Sequence, residues 1–267
     1  MEIVLIVICG LIGAAAGSFL NVCADRLPAE KSIIYPSSHC DGCGRGLSAW
    51  ELAPVFSYLA LRGRCRTCGV KIPLRVLWVE LGCGLWTAFL FWYKGLSPEF
   101  VFMALYSYVF ILIAIIDLQH KLILNKVVFP CVIAGIIIAP FFVHGGNFYQ
   151  GGVHFGDVSA GLLNGLIGGA VGFAFLLIPA LVTRGGMGFG DVKMAFLIGV
   201  ATGFGEVLVA ILGGIILGGM TAVFLLVSRL KKRKEAIPFG PFLSLAAIIT
   251  LVWGSGIMGW YLGIFGG

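Results

Sequence analysis

Charged residues are scarce in this 267-residue chain, where Asp, Glu, Lys and Arg together make up only 11%. An ordinary soluble domain contains about 25% of these residues. Acidic residues are the scarcest, with 12 Asp and Glu against 18 Lys and Arg, while 60% of the side chains are hydrophobic. This balance excludes a disordered chain, a secreted disulfide scaffold and most soluble enzymes. It indicates a polytopic membrane protein.

Proline is also rare, with 10 residues against 40 glycines. No three-residue glycine period is present, which excludes a collagen-like chain. Abundant glycine is instead typical of membrane helices that pack closely against one another.

Long apolar runs define the candidate membrane spans, because a helix needs about 20 apolar residues to cross a bilayer. The eight candidates are residues 3–22, 74–93, 99–116, 122–143, 158–182, 190–203, 206–228 and 239–265. The sixth is short and bounded by glycine, and a half-helix or re-entrant segment is an alternative for it. We therefore predict an all-α polytopic membrane protein with about eight transmembrane helices. Its parts are a first transmembrane helix at 1–22, a small cytoplasmic domain at 23–73 and a membrane domain at 74–267.

The basic residues predict the orientation of these spans. If the N-terminus lies outside and eight spans alternate, 17 of the 18 Lys and Arg fall on the inner side, and only Lys94 falls outside. Cytoplasmic loops are enriched in Lys and Arg. The strongest local signal is the run Arg229, Lys231, Lys232, Arg233 and Lys234. We predict a multi-pass protein of a bacterial inner membrane, whose positive charge reflects topology and not a nucleic-acid partner.

The polar segment 23–73 carries two CxxC pairs, Cys40 with Cys43 and Cys65 with Cys68. Paired CxxC motifs at about this separation are typical of a four-cysteine zinc site. Two disulfides are the alternative, but a cytoplasmic segment lies on the reducing side of the membrane. Because a domain of this size has little core of its own, the zinc would be structural.

Two aspartates are placed unusually, at the predicted cytoplasmic edge of the membrane. Asp117 ends the third span, and Asp191 opens the sixth, directly after glycines. An ionisable residue at such a position is a functional candidate. Two adjacent carboxylates share a proton, so that one acts as an acid and the other as a base. The alternative for a single aspartate, Asp191 above all, is a helix N-cap.

Glu80 lies deeper, within the second span. It is either a polar clamp to another helix or a third acid of the site.

Several motifs, in order along nearly the whole chain, resemble those of the type IV prepilin peptidases. They are Gly17-Ser18-Phe19-Leu20-Asn21-Val22, Arg26-Leu27-Pro28, the paired CxxC motifs, Leu61-Arg62-Gly63-Arg64-Cys65, Val79-Glu80-Leu81, Gly188-Phe189-Gly190-Asp191 and Ile237-Pro238-Phe239-Gly240-Pro241. The Gly188–Asp191 segment matches the GxGD motif of that family.

The resemblance implies a membrane aspartic endopeptidase with Asp117 and Asp191 as its catalytic pair. We expect Gly188, Gly190, Glu80 and Lys193 to support the site. Its substrates would be prepilins and pseudopilins of type IV pili or type II secretion, cut after glycine on the cytoplasmic side. Family members with the four-cysteine domain also methylate the new N-terminus with S-adenosylmethionine, and the residues that bind this methyl donor are not identified by the sequence.

The chain departs from the family pattern in the loop after Asp117. The family often has Asp-Leu-Asp and then Leu-Pro-Asp there, whereas this chain has Gln119, Leu124 and Asn125 at the corresponding places. Asp117 is consequently the only carboxylate of this loop.

Two other functions compete with this prediction. A proton-coupled transporter would use Asp117, Asp191 and Glu80 as a relay, but its halves should show repeat symmetry, and none is evident. A presenilin-like peptidase that cuts within membrane helices shares GxGD but does not predict the cysteine domain.

Overall fold

The computed structural model describes residues 2–142, 158–182, 188–230 and 237–265, and in these residues regular structure is helical apart from two isolated β-bridges. The helices are α1 (Glu2–Arg26), α2 (Phe56–Ala60), α3 (Leu74–Lys94), α4 (Pro98–His120), α5 (Asn125–Phe142), α6 (Val158–Val182), α7 (Phe189–Thr202), α8 (Glu206–Val227) and α9 (Gly240–Phe265), with a 3-10 turn at Ala49–Leu52. Residues 231–234 of the basic run lie outside the described residues.

The chain forms two compact units, Met1–Tyr108 and Val109–Gly267, and the division falls within α4. In the first unit, α1 packs against α3 at backbone distance. A Cβ on Gly17 would meet the Cα of Glu80 at 2.9 Å, and Asn21 Nδ2 donates a hydrogen bond to the carbonyl of Val76 at 3.3 Å. Small residues permit such close approach of membrane helices. The two helices therefore hold together both ends of the polar segment that connects them.

In the second unit, α7 is the central helix and contacts α5, α6, α8 and α9. Most of its side chains are buried, among them Val192, Met194 and Leu197. A Cβ on Gly199 would overlap the carbonyl oxygen of Gly168 in α6, so only glycine permits this crossing. The apolar character of α7 therefore reflects burial among other helices.

The described helices include six that are long and apolar enough to cross a membrane: Glu2–Arg26, Leu74–Lys94, Pro98–His120, Gly161–Val182, Glu206–Val227 and Gly240–Ile264. A polytopic helical membrane protein fits this finding, whereas the predicted count of eight is not confirmed. The fourth candidate is represented by a shorter apolar helix at Asn125–Ile138. The sixth is α7, whose 14 residues extend about 21 Å, less than the roughly 30 Å of a bilayer core.

Candidate active site and metal centre

The four cysteines of the two CxxC pairs come together in the first unit, as the sequence predicts. Their sulfur atoms all lie within 4.8 Å of one another, and the Sγ atoms of Cys40 and Cys68 are 3.7 Å apart. All four are free thiols, so the disulfide alternative is not present. A zinc ion with four bonds of about 2.3 Å requires sulfur–sulfur separations of about 3.8 Å. The cluster therefore has the donor type, number and spacing of a structural zinc site.

Each cysteine pair is carried by the same kind of turn. The N–H of Gly44 donates to the carbonyl of Cys40 at 2.8 Å, and the N–H of Gly69 donates to the carbonyl of Cys65 at 3.0 Å. Both glycines have positive φ, 69° and 71°, which is accessible to glycine at little cost. Hydrogen bonds from the backbone N–H groups of Cys68 and Thr67 lower the pKa of Cys65 to about 6, toward the thiolate that a metal requires.

Arg45 and Glu51 support this centre and were not identified from the sequence. Their side chains form an ion pair at 2.7 Å, and the guanidinium of Arg45 also contacts Cys65. Glu51 accepts further hydrogen bonds from the N–H and the Oγ of Ser48 at 2.9 and 2.6 Å. Arg45, followed by Ser48, lowers the pKa of Glu51 to about 2. The signal in the sequence was the capping-box pattern that begins at Ser48.

Asp117 lies in the second unit, near the end of α4, and is only 5% exposed. Its Oδ2 accepts a hydrogen bond from the backbone N–H of Gly240 at 2.9 Å. Gly240 is the first residue of α9, where backbone N–H groups have no partner within the helix. The start of α9 therefore fixes the Asp117 carboxylate, and Gly240 is a site residue whose role the sequence did not reveal.

Asp191 lies in the first turn of α7, where its carboxylate interacts electrostatically with that of Asp117. The helix N-cap is Gly188 and not Asp191, which answers the alternative raised by the sequence. The Asp191 carboxylate does accept a hydrogen bond from the N–H of Gly188, and this contact orients it. The structure thus brings together two carboxylates that are separated by 74 positions in the chain (191 minus 117).

The loop between α4 and α5 packs against the GxGD segment. A Cβ on Gly190 would meet the Cβ of Ile123 at 2.9 Å, so a larger residue would displace the loop. Lys193 Nζ donates a hydrogen bond to Asn125 Oδ1 at 2.9 Å. It also lies 5.7 Å from the ring centre of Phe129 and 5.6 Å from that of Phe189. Lys193 therefore joins α5 to α7 beside Asp191.

Glu80 belongs to the first unit, where it is buried in α3. Its Oε2 accepts the backbone N–H of Val55 at 2.7 Å, and Ser18 of α1 donates a second hydrogen bond to it. Val55 precedes α2 with φ of 63°, a conformation that is strained for a β-branched residue. These contacts join the polar segment that precedes α2 to α1 and α3, as expected of a polar clamp.

The fold and these two sites define a class: a polytopic helical membrane protein with a carboxylate pair and a four-cysteine centre. Residues 11–94 match the bacterial peptidase A24 N-terminal domain, and residues 100–223 match the type IV leader peptidase family. The chain belongs to this family.

Similar proteins are named prepilin leader peptidase/N-methyltransferase. Those of Stutzerimonas stutzeri, Bacillus subtilis and Pseudomonas putida are 31%, 31% and 30% identical to this chain. The alignments cover 96%, 94% and 92% of this chain and 93%, 96% and 90% of those proteins. No solved structure shows a significant match. These similarities favour the predicted peptidase over a transporter.

Proposed function

We propose that this protein is a membrane aspartic endopeptidase that removes the leader of prepilins and pseudopilins and then methylates the new N-terminus. The observation that carries the peptidase is the meeting of Asp117 and Asp191, from α4 and α7, within one compact unit. The relatives, which match nearly the whole chain, support both activities.

The two carboxylates suit hydrolysis of an amide. One aspartate, ionised, accepts a proton from water while the water oxygen bonds to the scissile carbonyl carbon. The other, protonated, donates its proton to the carbonyl oxygen. Collapse of the resulting diol breaks the carbon–nitrogen bond, and a proton passes to the amine that leaves. The hydrogen bonds from Gly240 and Gly188 hold the two carboxylates in place for these steps.

The proposal extends to location and metal. The active site faces the cytoplasm of a bacterial inner membrane, and α5 and α7 lie within the bilayer together with the six longer helices. Cys40, Cys43, Cys65 and Cys68 would hold a structural zinc, which would cross-link the two CxxC turns and stabilise a domain at 23–73. S-adenosylmethionine is the methyl donor, and no residue is assigned to it.

The test of the peptidase is to change each aspartate to its amide and co-express the variant with a prepilin. Asp117→Asn and Asp191→Asn should each reduce cleavage by about 10³-fold or more, because one proton transfer is lost. The matched control is Glu206→Gln, which removes a carboxylate from α8 of the same unit. Mass spectrometry of the pilin reads leader removal and addition of one methyl group together.

Near wild-type cleavage in either aspartate variant would remove that residue from the pair. Cleavage without any methyl gain in the wild type would restrict the function to the peptidase.

A further inference from the structure

Three basic side chains line one cleft in the first unit, outside both sites described above. The cleft has a volume of about 460 Å³, and its lining includes Arg62, Arg64, Lys71, Tyr58, Pro73 and Leu74. Among the residues that the structure describes, no carboxylate lies within ion-pair distance of Arg62, Arg64 or Lys71. The cleft therefore concentrates three positive charges that are not neutralised within this part of the chain.

Two chain segments form rigid walls around this space. Arg64 and Lys71 are joined in an antiparallel β-bridge, and the N–H of Ile72 donates to the carbonyl of Gly63 at 2.8 Å. Tyr58 closes one side, with its hydroxyl donating to the carbonyl of Ile72 at 3.3 Å. The backbone N–H groups of residues 62–64 are already used within the turn. An anion in the cleft would thus be bound by side chains.

The lining of the cleft reaches the start of α3, a helix that is long and apolar enough to cross a membrane. Leu74, the first residue of α3, is 62% exposed, and Trp78, one turn later on the same face, is 65% exposed. Exposed apolar residues at the start of a spanning helix contact lipid, and Trp is enriched at the level of the headgroups. With α3 spanning the bilayer, as the proposed function has it, the basic side chains of the cleft lie at headgroup depth, beside apolar side chains that contact acyl chains.

We propose that this cleft binds the phosphate of an anionic lipid headgroup, such as phosphatidylglycerol. A phosphate supplies the negative charge and the acceptor oxygens that two guanidinium groups and an ammonium group recognise. The exposed Leu74 and Trp78 provide the adjacent surface for the acyl chains, which free phosphate would not use.

The positive charge of the cleft disfavours the two ligands that the proposed function requires, the prepilin leader and S-adenosylmethionine. The leader of a prepilin is basic, and three unneutralised cations repel it. S-adenosylmethionine carries a sulfonium and an ammonium against one carboxylate, so its net charge is also positive. Near an anionic bilayer, in contrast, each Lys or Arg strengthens binding.

The experiment measures lipid retention by the purified full-length protein in detergent, using native mass spectrometry. The protein is titrated separately with phosphatidylglycerol, phosphatidylcholine and inorganic phosphate. Wild type should retain phosphatidylglycerol about tenfold better than phosphatidylcholine. Arg62→Gln combined with Lys71→Gln should weaken that retention roughly 25-fold, about fivefold for each cation removed. The matched control is Lys31→Gln, which removes an exposed cation of the same domain outside the cleft and should change retention less than twofold.

Equal retention of the two lipids, or equal loss in the Lys31 control, would overturn the proposal. Displacement of phosphatidylglycerol by an equal concentration of inorganic phosphate would also overturn it, because the site would then recognise free phosphate. Zinc content verifies the fold of the double variant. If its zinc is reduced, the single change Lys71→Gln decides, with an expected fivefold loss. None of these measurements depends on peptidase activity.

Discussion

The four-cysteine centre and the aspartate pair differ in how far apart in the chain their parts lie. Cys40 and Cys68 span only 28 positions, and each CxxC turn presents its own two sulfurs. Asp117 is held by Gly240, 123 positions away, and Lys193 reaches Asn125 across 68 positions. The four-cysteine centre is therefore formed by two short motifs, whereas the aspartate pair forms only when the helices of its unit pack together.

Removal of one cysteine should break the local centre completely. Cys43→Ser should abolish stoichiometric zinc and unfold the proposed zinc domain at 23–73, because structural zinc contributes on the order of 10 kcal/mol to folding. The matched control is Cys131→Ser in α5, outside the cluster. Metal analysis and limited proteolysis of the purified proteins are the measurements. Full zinc in the Cys43 variant would contradict the four-thiolate assignment.

A single methyl group should disturb the non-local site almost as severely. In Gly240→Ala, the added Cβ would lie 2.6 Å from Asp117 Oδ2, so either the carboxylate or the start of α9 must move. A displacement of about 1 Å at a catalytic group can reduce the rate by about 100-fold, and we expect a loss of 10- to 100-fold in prepilin cleavage.

Gly256→Ala, in the same helix, is the control because a Cβ there meets no atom within 4 Å. Zinc content should remain that of wild type in both variants. Unchanged cleavage in Gly240→Ala would show that the contact between Gly240 and Asp117 does not position the carboxylate.

The sequence predicted most helices closely because an apolar run and a membrane helix have the same length. Residues 158–182 were predicted and are α6, whereas α1 continues four residues beyond its predicted end, to Arg26. Apolarity did not predict that continuation, since polar residues can remain helical where a neighbouring helix supports them, as α3 does through the ion pair of Arg75 with Asp25 at 2.8 Å. The helix α7 is short, and its side chains are buried by other helices. The sequence did not show this, because an apolar run alone does not distinguish lipid from protein surroundings.

For the sites, the four cysteines and the two aspartates were predicted because their residue types and positions are unusual. The roles of Gly240 and Arg45 were not predicted. The hydrogen bond from the Gly240 N–H to Asp117 and the contact of Arg45 with Cys65 both depend on how the chain packs, which no local sequence pattern indicates.

Glu80 is expected to give an effect of intermediate size. A role as a clamp and a role as a third acid predict different effects for the same two substitutions. Glu80→Gln keeps an oxygen that can accept the N–H of Val55, and cleavage should stay within about threefold of wild type. Glu80→Ala leaves that N–H without its acceptor and should destabilise the proposed zinc domain at 23–73 by about 1–3 kcal/mol.

The measurements are prepilin cleavage and the thermal release of zinc, with Val55→Gly as a companion that relieves the positive φ of residue 55. Equal loss of cleavage in Glu80→Gln and Glu80→Ala, with unchanged zinc release, would indicate a third acid.

The smallest expected effect comes from Asn125→Asp, which introduces the carboxylate that the family often has at this place. Lys193 Nζ already lies 2.9 Å from Asn125 Oδ1, so aspartate would convert an existing hydrogen bond into an ion pair without moving either helix. The contact is exposed, and exposed ion pairs contribute only about 0.2–1 kcal/mol. We therefore expect cleavage to change less than twofold and thermal stability to rise slightly.

Asn125→Ala is the comparison, because Lys193 would then keep only its contacts with the rings of Phe129 and Phe189. A shifted pH profile of cleavage in Asn125→Asp alone would mean that the new charge acts on the aspartate pair, and that the amide here keeps the pair isolated from further carboxylates.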